Sequence, residues 1–333
     1  MNFAQSMSSR FTAPASKQAT TVKTKRPLLG AIMILMATFL FGLNGSTAKT
    51  VMATGVTAEQ ITLFRSLSAC LIAGLFMLLR NRSSFRVARR EWKWLLLLGT
   101  AGVGLMQWSY ASAVANLPVG VALLIQYTAI VLVPITGMVL FKSKVSPRLW
   151  LGVAFVLAGL VVVSHIWQAG LSPIGLIFAA IAALATTTYY MIGEHVHETR
   201  DAFSTLFYSM AFSALMWIPA SHFWNFDFGR FTSQVDLGGN LAGTVIPAWI
   251  LFAWLGVMGS FVPLFLTYAA LPHLSATGVG VMSTTETIFG FMFAYLWLGE
   301  KIDGLQTVGG LLVIAGIVIA QISRRQATWQ PSN

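Results

Sequence analysis

Long apolar runs separated by short polar joints dominate the chain between residues 28 and 323. They lack the period-two alternation of outer-membrane barrel strands, and their length suits helices: roughly 20 apolar residues at 1.5 Å rise cross a hydrocarbon layer of ~30 Å. The pattern predicts ten spans, near residues 28–50, 59–79, 94–115, 119–141, 149–166, 173–193, 202–220, 247–269, 276–298 and 305–323. The chain therefore reads as an all-α polytopic membrane protein with ten transmembrane helices. Only two joints are long, Arg80–Lys93 and about Ser221–Ile246, the second rich in aromatics and glycine.

The same pattern occurs twice. Residues 27–69 resemble residues 173–214 in hydropathy, with Gly30 falling on Gly175. The match is closer further on, where YASAVANLPVG (Tyr110–Gly120) superposes on YAALPHLSATG (Tyr268–Gly278), an offset of 158 that still pairs Gly152 with Gly310. Two five-helix halves follow, residues 28–166 and 173–323. Five is odd, so the second half enters the membrane from the opposite side. Inverted repeats of this kind bracket a midplane site reached alternately from each face in secondary transporters. Duplication within a passive channel or a non-transporting scaffold is the alternative.

Composition agrees, with 56% hydrophobic residues, 9% charged and a mean hydropathy of +0.74. A net charge of +11 would suggest nucleic acid in a soluble protein. Here the basic residues lie in loops and tails beside apolar runs, so topology accounts for them and no nucleic-acid partner is expected. Arg80, Arg82, Arg86, Arg89, Arg90 and Lys93 place their loop in the cytoplasm, and threading ten spans from it puts both termini inside. Of the 21 Lys and Arg, all but Lys49, Arg65, Arg230 and Lys301 fall on that side.

Residues 1–27 are Ser/Thr/Ala-rich and carry Arg10, Lys17, Lys23, Lys25 and Arg26 without an acid. They read as a disordered cytoplasmic tail rather than an organelle transit peptide, and residues 324–333 as a second cytoplasmic tail. The one cysteine, Cys70, excludes an intrachain disulfide. The five histidines are scattered, and neither a phosphate-binding loop nor a nucleophile with its base is present. No enzyme, metal or cofactor is expected.

The stretch Tyr268–Glu300 concentrates the polar chemistry. In the ninth span, Ala276, Gly280, Ser283, Thr287, Gly290 and Ala294 recur at helical spacing and form a face of small residues for close packing, bordered by Glu286. An acid at membrane depth costs a few kcal/mol and marks either a functional site or a protonated hydrogen-bonding group between helices. Gln126, Tyr127 and Thr128 lie at the equivalent depth of the fourth span. Asn44 in FGLNGSTAK, Trp108 and Tyr110 in the third span, Tyr190 in the sixth and Tyr268 in the eighth add aromatic and hydrogen-bonding groups. The substrate-binding candidates are Asn44, Trp108, Gln126, Tyr127, Tyr190, Tyr268, Ser283 and Glu286, a set that suits a small amphipathic ligand. Trp108, Tyr110 and Tyr268 also fit an interfacial belt or plain packing. Arg65, about six residues from the outer end of its span, is a gating or structural candidate able to snorkel outward.

These motifs resemble the EamA-type branch of the drug/metabolite transporter superfamily over about residues 28–323. FGLNGSTAK resembles the family's aromatic-Gly-Ser-Asn-x-x-x-x-Lys ending through Asn44 and Lys49, TLFRSLSA its Arg-Phe-x-x-Ala signature through Arg65, and STTETIFGFMFAYLWLGE its Glu-Pro-x-x-Ala run ending in Leu-Gly-Glu through Glu286 and Glu300. Thr287 stands where proline is usual, and the fourth span ends in Phe141-Lys142 rather than Gly-Glu, so those two roles do not transfer. The resemblance implies a ten-helix inner- or plasma-membrane carrier, monomeric or homodimeric, commonly an exporter of amino acids or related metabolites. Export of lipophilic cationic drugs is the second reading within transport.

Overall fold

The computed structural model describes residues 26–80, 82–129, 131–133, 135–136, 147–163, 171–197, 200–270, 273–274, 282–283, 285–301 and 303–327. The N-terminal tail up to Lys25, the end of the chain from 328, the second half of the fourth predicted span and the start of the ninth lie outside those residues.

Among the described residues, ten helical segments fall within or across the predicted spans, the fourth and ninth only in part. They are α1 (Pro27–Met52), α2 (Ala58–Arg80), α3 (residues 92–116), α4 (Val119–Tyr127), α5 (Pro147–Val163), α6 (Pro173–His197), α7 (Ala202–Ala220), α8 (Ala248–Ala270), α9 (Thr285–Phe293, extended by a π turn) and α10 (Gly304–Ala327). Five are long and apolar enough to cross a membrane among the described residues: α1, α2, α6, α7 and α8.

Local sequence sets several boundaries. Proline stands at the first position of α1, where its missing N–H costs nothing. Before α2, Thr57 and Gln60 cap each other, each side chain accepting from the other's backbone N–H at 3.3 and 3.1 Å. Asp201 caps α7 by accepting from the Ser204 N–H at 2.9 Å.

Burial is inverted relative to a water-soluble bundle. Leu71, Leu79, Leu184 and Leu311 are exposed, whereas Ser66, Thr205, Ser209, Ser213 and Thr287 are buried. Lipid explains both halves of the pattern, since it welcomes leucine and leaves hydroxyls to find partners between helices. Ser66 and Ser213 do so across α2 and α7 at 2.7 Å.

The helices interleave. α1 packs on α8 and α9, α6 packs on α3 and α4, α2 lies on α7, and α5 on α10. The first helix of each repeat thus sits against the third and fourth helices of the other. Where α5 crosses α10 the backbones nearly touch: a Cβ on Gly159 would lie 2.6 Å from the Gly309 carbonyl oxygen, and one on Gly316 the same distance from that of Gly152. Overpacking such a contact costs about 1–3 kcal/mol. The variant Gly316→Leu is therefore expected to lower the unfolding temperature of the detergent-purified protein by several degrees, read in a thermal melt, while Gly304→Leu, at a position with open space around it, leaves it unchanged.

Among the described residues three π-helical turns interrupt the helices, at Leu98–Gly104, Val257–Phe261 and Ala294–Leu298. Adding the repeat offset of 158 to residues 98–104 gives 256–262, which contains the second turn, so α3 and α8 are deformed at matching positions. A π turn shifts backbone carbonyls out of the regular ladder and frees them for other donors.

The all-α expectation needs one correction. Residues 234–236 and 245–247 pair as short antiparallel strands in the long joint after α7. Asp236 stabilises the turn between them, accepting from the N–H groups of Gly238 at 2.8 Å and Gly243 at 2.9 Å, which hold its carboxyl below the usual carboxylate range. Hydropathy alone did not show this, because the pairing rests on a local carboxylate–amide turn rather than on an apolar pattern.

Candidate functional site

Two ionisable side chains of opposite type, Arg65 and Glu286, lie in the interior. Arg65 is buried at 4% exposure. It points into the protein instead of snorkelling outward, because acceptors surround it: Nε donates to Ser260 Oγ at 2.8 Å and Nη2 to the Gly259 carbonyl at 3.0 Å. Both partners lie in the α8 π turn, whose displaced carbonyl the guanidinium uses. The Asn44 amide is satisfied with its oxygen toward Arg65, accepting from Nη2 at 2.8 Å and Nη1 at 3.2 Å. Helices α1, α2 and α8 thereby converge on one guanidinium.

The second charge is Glu286, at the start of α9. Its Oε2 accepts from the Tyr127 hydroxyl of α4 at 2.6 Å. Arg65 and Glu286 sense each other electrostatically. Among the described residues neither has an ion-pair partner within 4.0 Å; the pairs found there are Lys49–Glu300 and Arg200–Glu91. At 1.5 Å per residue, Asn44 and Arg65 lie about 10–12 Å from the ends of their helices remote from the Arg80–Lys93 link, and Glu286 about 18 Å from the end of α9.

Several buried hydrogen-bonding atoms have no partner among the described residues, some of them next in sequence to Glu286 and its partner Tyr127. Gln107 Oε1, the Tyr110 hydroxyl, Gln126 Oε1 and Thr287 Oγ1 are buried with no hydrogen bond among the described residues. Buried polar atoms are nearly always satisfied, so such a group marks a place where a ligand can bond. Tyr110 lies against Gly45 and within electrostatic reach of Arg65, Glu286 and Glu300.

The structure gathers the other predicted residues unevenly. Gln126 donates to Thr186 Oγ1 at 3.2 Å, joining α4 to α6. Tyr190 lies within electrostatic reach of Tyr127 and Glu286, its ring 5.5 Å from that of Tyr189. Tyr268 accepts from Tyr189 across α8 and α6 at 3.1 Å, nearer the Arg-rich end. Ser283, half-buried, precedes Glu286 by one turn.

Trp108 stands apart. Its Nε1 donates to Glu59 Oε1 at 2.8 Å, and its ring meets Phe178 and Trp217 at the end remote from the Arg80–Lys93 link. Sequence reasoning missed Gly259 and Ser260 as partners of Arg65, and the only signal for them is the small-residue pair in GVMGSF.

A cavity of about 500 Å³ lies elsewhere, lined by Ser84, Arg86, Glu91, Arg200 and Asp201. Its polar groups serve the fold. Arg200 donates to Glu91 at 2.6 Å and to the Ser84 carbonyl at 2.8 Å, fastening the α2–α3 link to α7.

Comparison with known proteins gives a consistent picture. The signature of the EamA-like transporter family matches residues 28–165 and again 173–321. The pseudopaline exporter CntI of Pseudomonas aeruginosa is 28% identical over 298 residues, covering 87% of this chain and 94% of that protein. An uncharacterized transporter of Archaeoglobus fulgidus is 22% identical over 218 residues, 64% of this chain and 70% of its own. A solved crystal structure superposes with a TM-score of 0.61 at 17% identity, over 89% of this chain and 98% of the other, and shows the same fold. A multi-pass helical bundle with an apolar surface, a charged interior and a family signature over most of its length is a membrane transporter, and the chain belongs to the EamA-like transporter family.

Proposed function

We propose that this protein is a secondary carrier that exports amino acids or related small zwitterionic metabolites by alternating access, from a site between two inverted five-helix repeats. The observation that carries this is a pair of interior ionisable groups of opposite sign, the buried Arg65 and the half-buried Glu286, each held by neutral hydrogen-bond partners and, among the described residues, without an ion-pair partner. A buried ion retains a large desolvation penalty unless a counter-charge meets it. A zwitterion supplies both counter-charges, its carboxylate to the Arg65–Asn44 group and its ammonium to Glu286 and Tyr127. Gln126 and Thr287 offer further hydrogen bonds.

The repeat relation draws support from the matching π turns of α3 and α8 and from the reciprocal insertion of α1 and α6. Both termini and the Arg80–Lys93 link then face the cytoplasm of an inner or plasma membrane. A relative named as an exporter favours the outward direction. Arg65 counts against a lipophilic-cation exporter, since a cation alone leaves the guanidinium unmatched.

Counterflow in proteoliposomes tests the proposal. Radiolabelled amino acid is expected to accumulate transiently when unlabelled amino acid is trapped on the far side. An open channel or a scaffold gives no such stimulation, and its absence across a panel of amino acids overturns the proposal.

A further inference from the structure

An ionic cluster lies at the end of the bundle remote from the Arg80–Lys93 link. Lys49, near the end of α1, donates to Glu300 Oε1 at 2.6 Å and to the Leu117 carbonyl at 3.3 Å. Glu300 Oε2 accepts from the Val119 N–H at 3.0 Å, capping α4. The side chains are only 32% and 17% exposed, so the pair is partly shielded from water and from salt.

The cluster joins α1 and the α3–α4 turn of the first repeat to the end of α9 in the second. Gly299, in the left-handed conformation at φ 68°, turns the chain so that Glu300 can reach that turn. The joint after α7 grips the same end of α9. Asn240 donates to the Tyr295 carbonyl at 2.8 Å, and Trp297 to that of Leu237 at 2.9 Å.

Beneath the cluster lie buried groups on the way to the central charges. Ser46, one turn inward from Lys49 and so on the same face of α1, is fully buried with its hydroxyl unpartnered among the described residues. Tyr110 follows, lying against Gly45 and within electrostatic reach of both Glu300 and the Arg65–Glu286 pair. Nothing in the central chemistry needs Lys49 or Glu300. Their ion pair joins the two repeats at this end and has to break when the repeats part there.

We propose that Lys49 and Glu300 form a charge latch that closes the outer mouth of the pathway and opens once in each transport cycle. This rests on the alternating-access proposal above. The latch is specific in form: the ammonium bridges a carboxylate and a carbonyl, and the carboxylate bridges an ammonium and an amide. Removing either charge leaves the other without its partner and shifts the population toward the outward-open state.

The test uses the full-length protein with Cys70→Ala and Ser46→Cys, expressed in cells and exposed to a membrane-impermeant maleimide. With the latch intact, labelling is expected to be slow. Adding Glu300→Gln or Lys49→Met is expected to raise the rate about tenfold, a shift of about 1.4 kcal/mol in the closed-to-open equilibrium. The Gln side chain still caps Val119, so that variant loses charge with little loss of shape. Lys49→Arg keeps both donations and is expected to stay slow.

Each variant is read only if it elutes as a single species in detergent and labels fully once denatured. Background-rate labelling in both Glu300→Gln and Lys49→Met overturns the latch, as does Lys49→Arg labelling as fast as Lys49→Met. Counterflow on the same background protein is read separately. Faster labelling without counterflow keeps the latch and removes the amino-acid carrier; counterflow without faster labelling does the reverse.

Discussion

Replacing Arg65 by Gln is expected to lower amino-acid counterflow by at least about 100-fold, because truncating one member of a buried hydrogen-bonded charge pair costs 2–5 kcal/mol or more. Three helices meet on this guanidinium through Asn44, Gly259 and Ser260. Its planar fork engages all of them at once and leaves one Nη1 N–H for a carboxylate oxygen. A lysine at the same position is a single-point donor and cannot reproduce the arrangement, so Arg65→Lys is expected to fall nearly as far. Counterflow in proteoliposomes measures both, and reconstituted amounts matched by gel separate transport from insertion. Wild-type exchange by either variant would remove Arg65 from the substrate site.

The second large effect belongs to Glu286. In Glu286→Gln the side chain still accepts from Tyr127, so packing between α4 and α9 is preserved. What is lost is the negative charge that holds an ammonium. Exchange is expected to fall about 10- to 100-fold, in line with 1.5–3 kcal/mol for hydrogen bonds to charged groups. The pH dependence should change with it. A carboxyl must be ionised to bind the ammonium, so wild-type exchange is expected to decline on acidification as Glu286 takes up a proton. The Gln variant has no such group and is expected to show a flat residual rate. Counterflow measured over a pH series decides, and normal exchange by Glu286→Gln at every pH sinks the assignment.

Much of the helical layout was legible because the solvent is lipid. Apolar runs long enough to span had to be helices, and several described segments match the predicted spans to within a few residues, as with Pro27–Met52 against 28–50 and Ala202–Ala220 against 202–220. Glu286 was conspicuous for the same reason, an acid where hydrocarbon tolerates none. Its repeat mate by the offset of 158 is Thr128, yet its hydrogen bond comes from the adjacent Tyr127. Hydropathy locates such a pair to within a residue and leaves the rest to packing.

What could not be read depends on geometry that composition does not encode. A π turn is a change of hydrogen-bond register, so the carbonyl that receives Arg65 was invisible and the arginine looked free to reach the surface. Trp108 read either as a binding candidate or as a belt and packing residue, and its bond to Glu59, 49 positions away at the remote end of α2, is one that local sequence does not encode. Lys49 and Glu300 stood out only as separate motif positions, because their contact spans 251 positions and appears only once the two repeats are docked.

The central claim is that one ligand bridges Arg65 and Glu286, and a comparison of three related compounds in the counterflow assay tests it most directly. An amino acid, its carboxamide and its N-acetyl derivative differ only in which charge they lack. Strong exchange of the amino acid, with both derivatives at least about tenfold weaker, is the expected result, since each leaves one interior charge unmatched. Equal exchange of all three would contradict it.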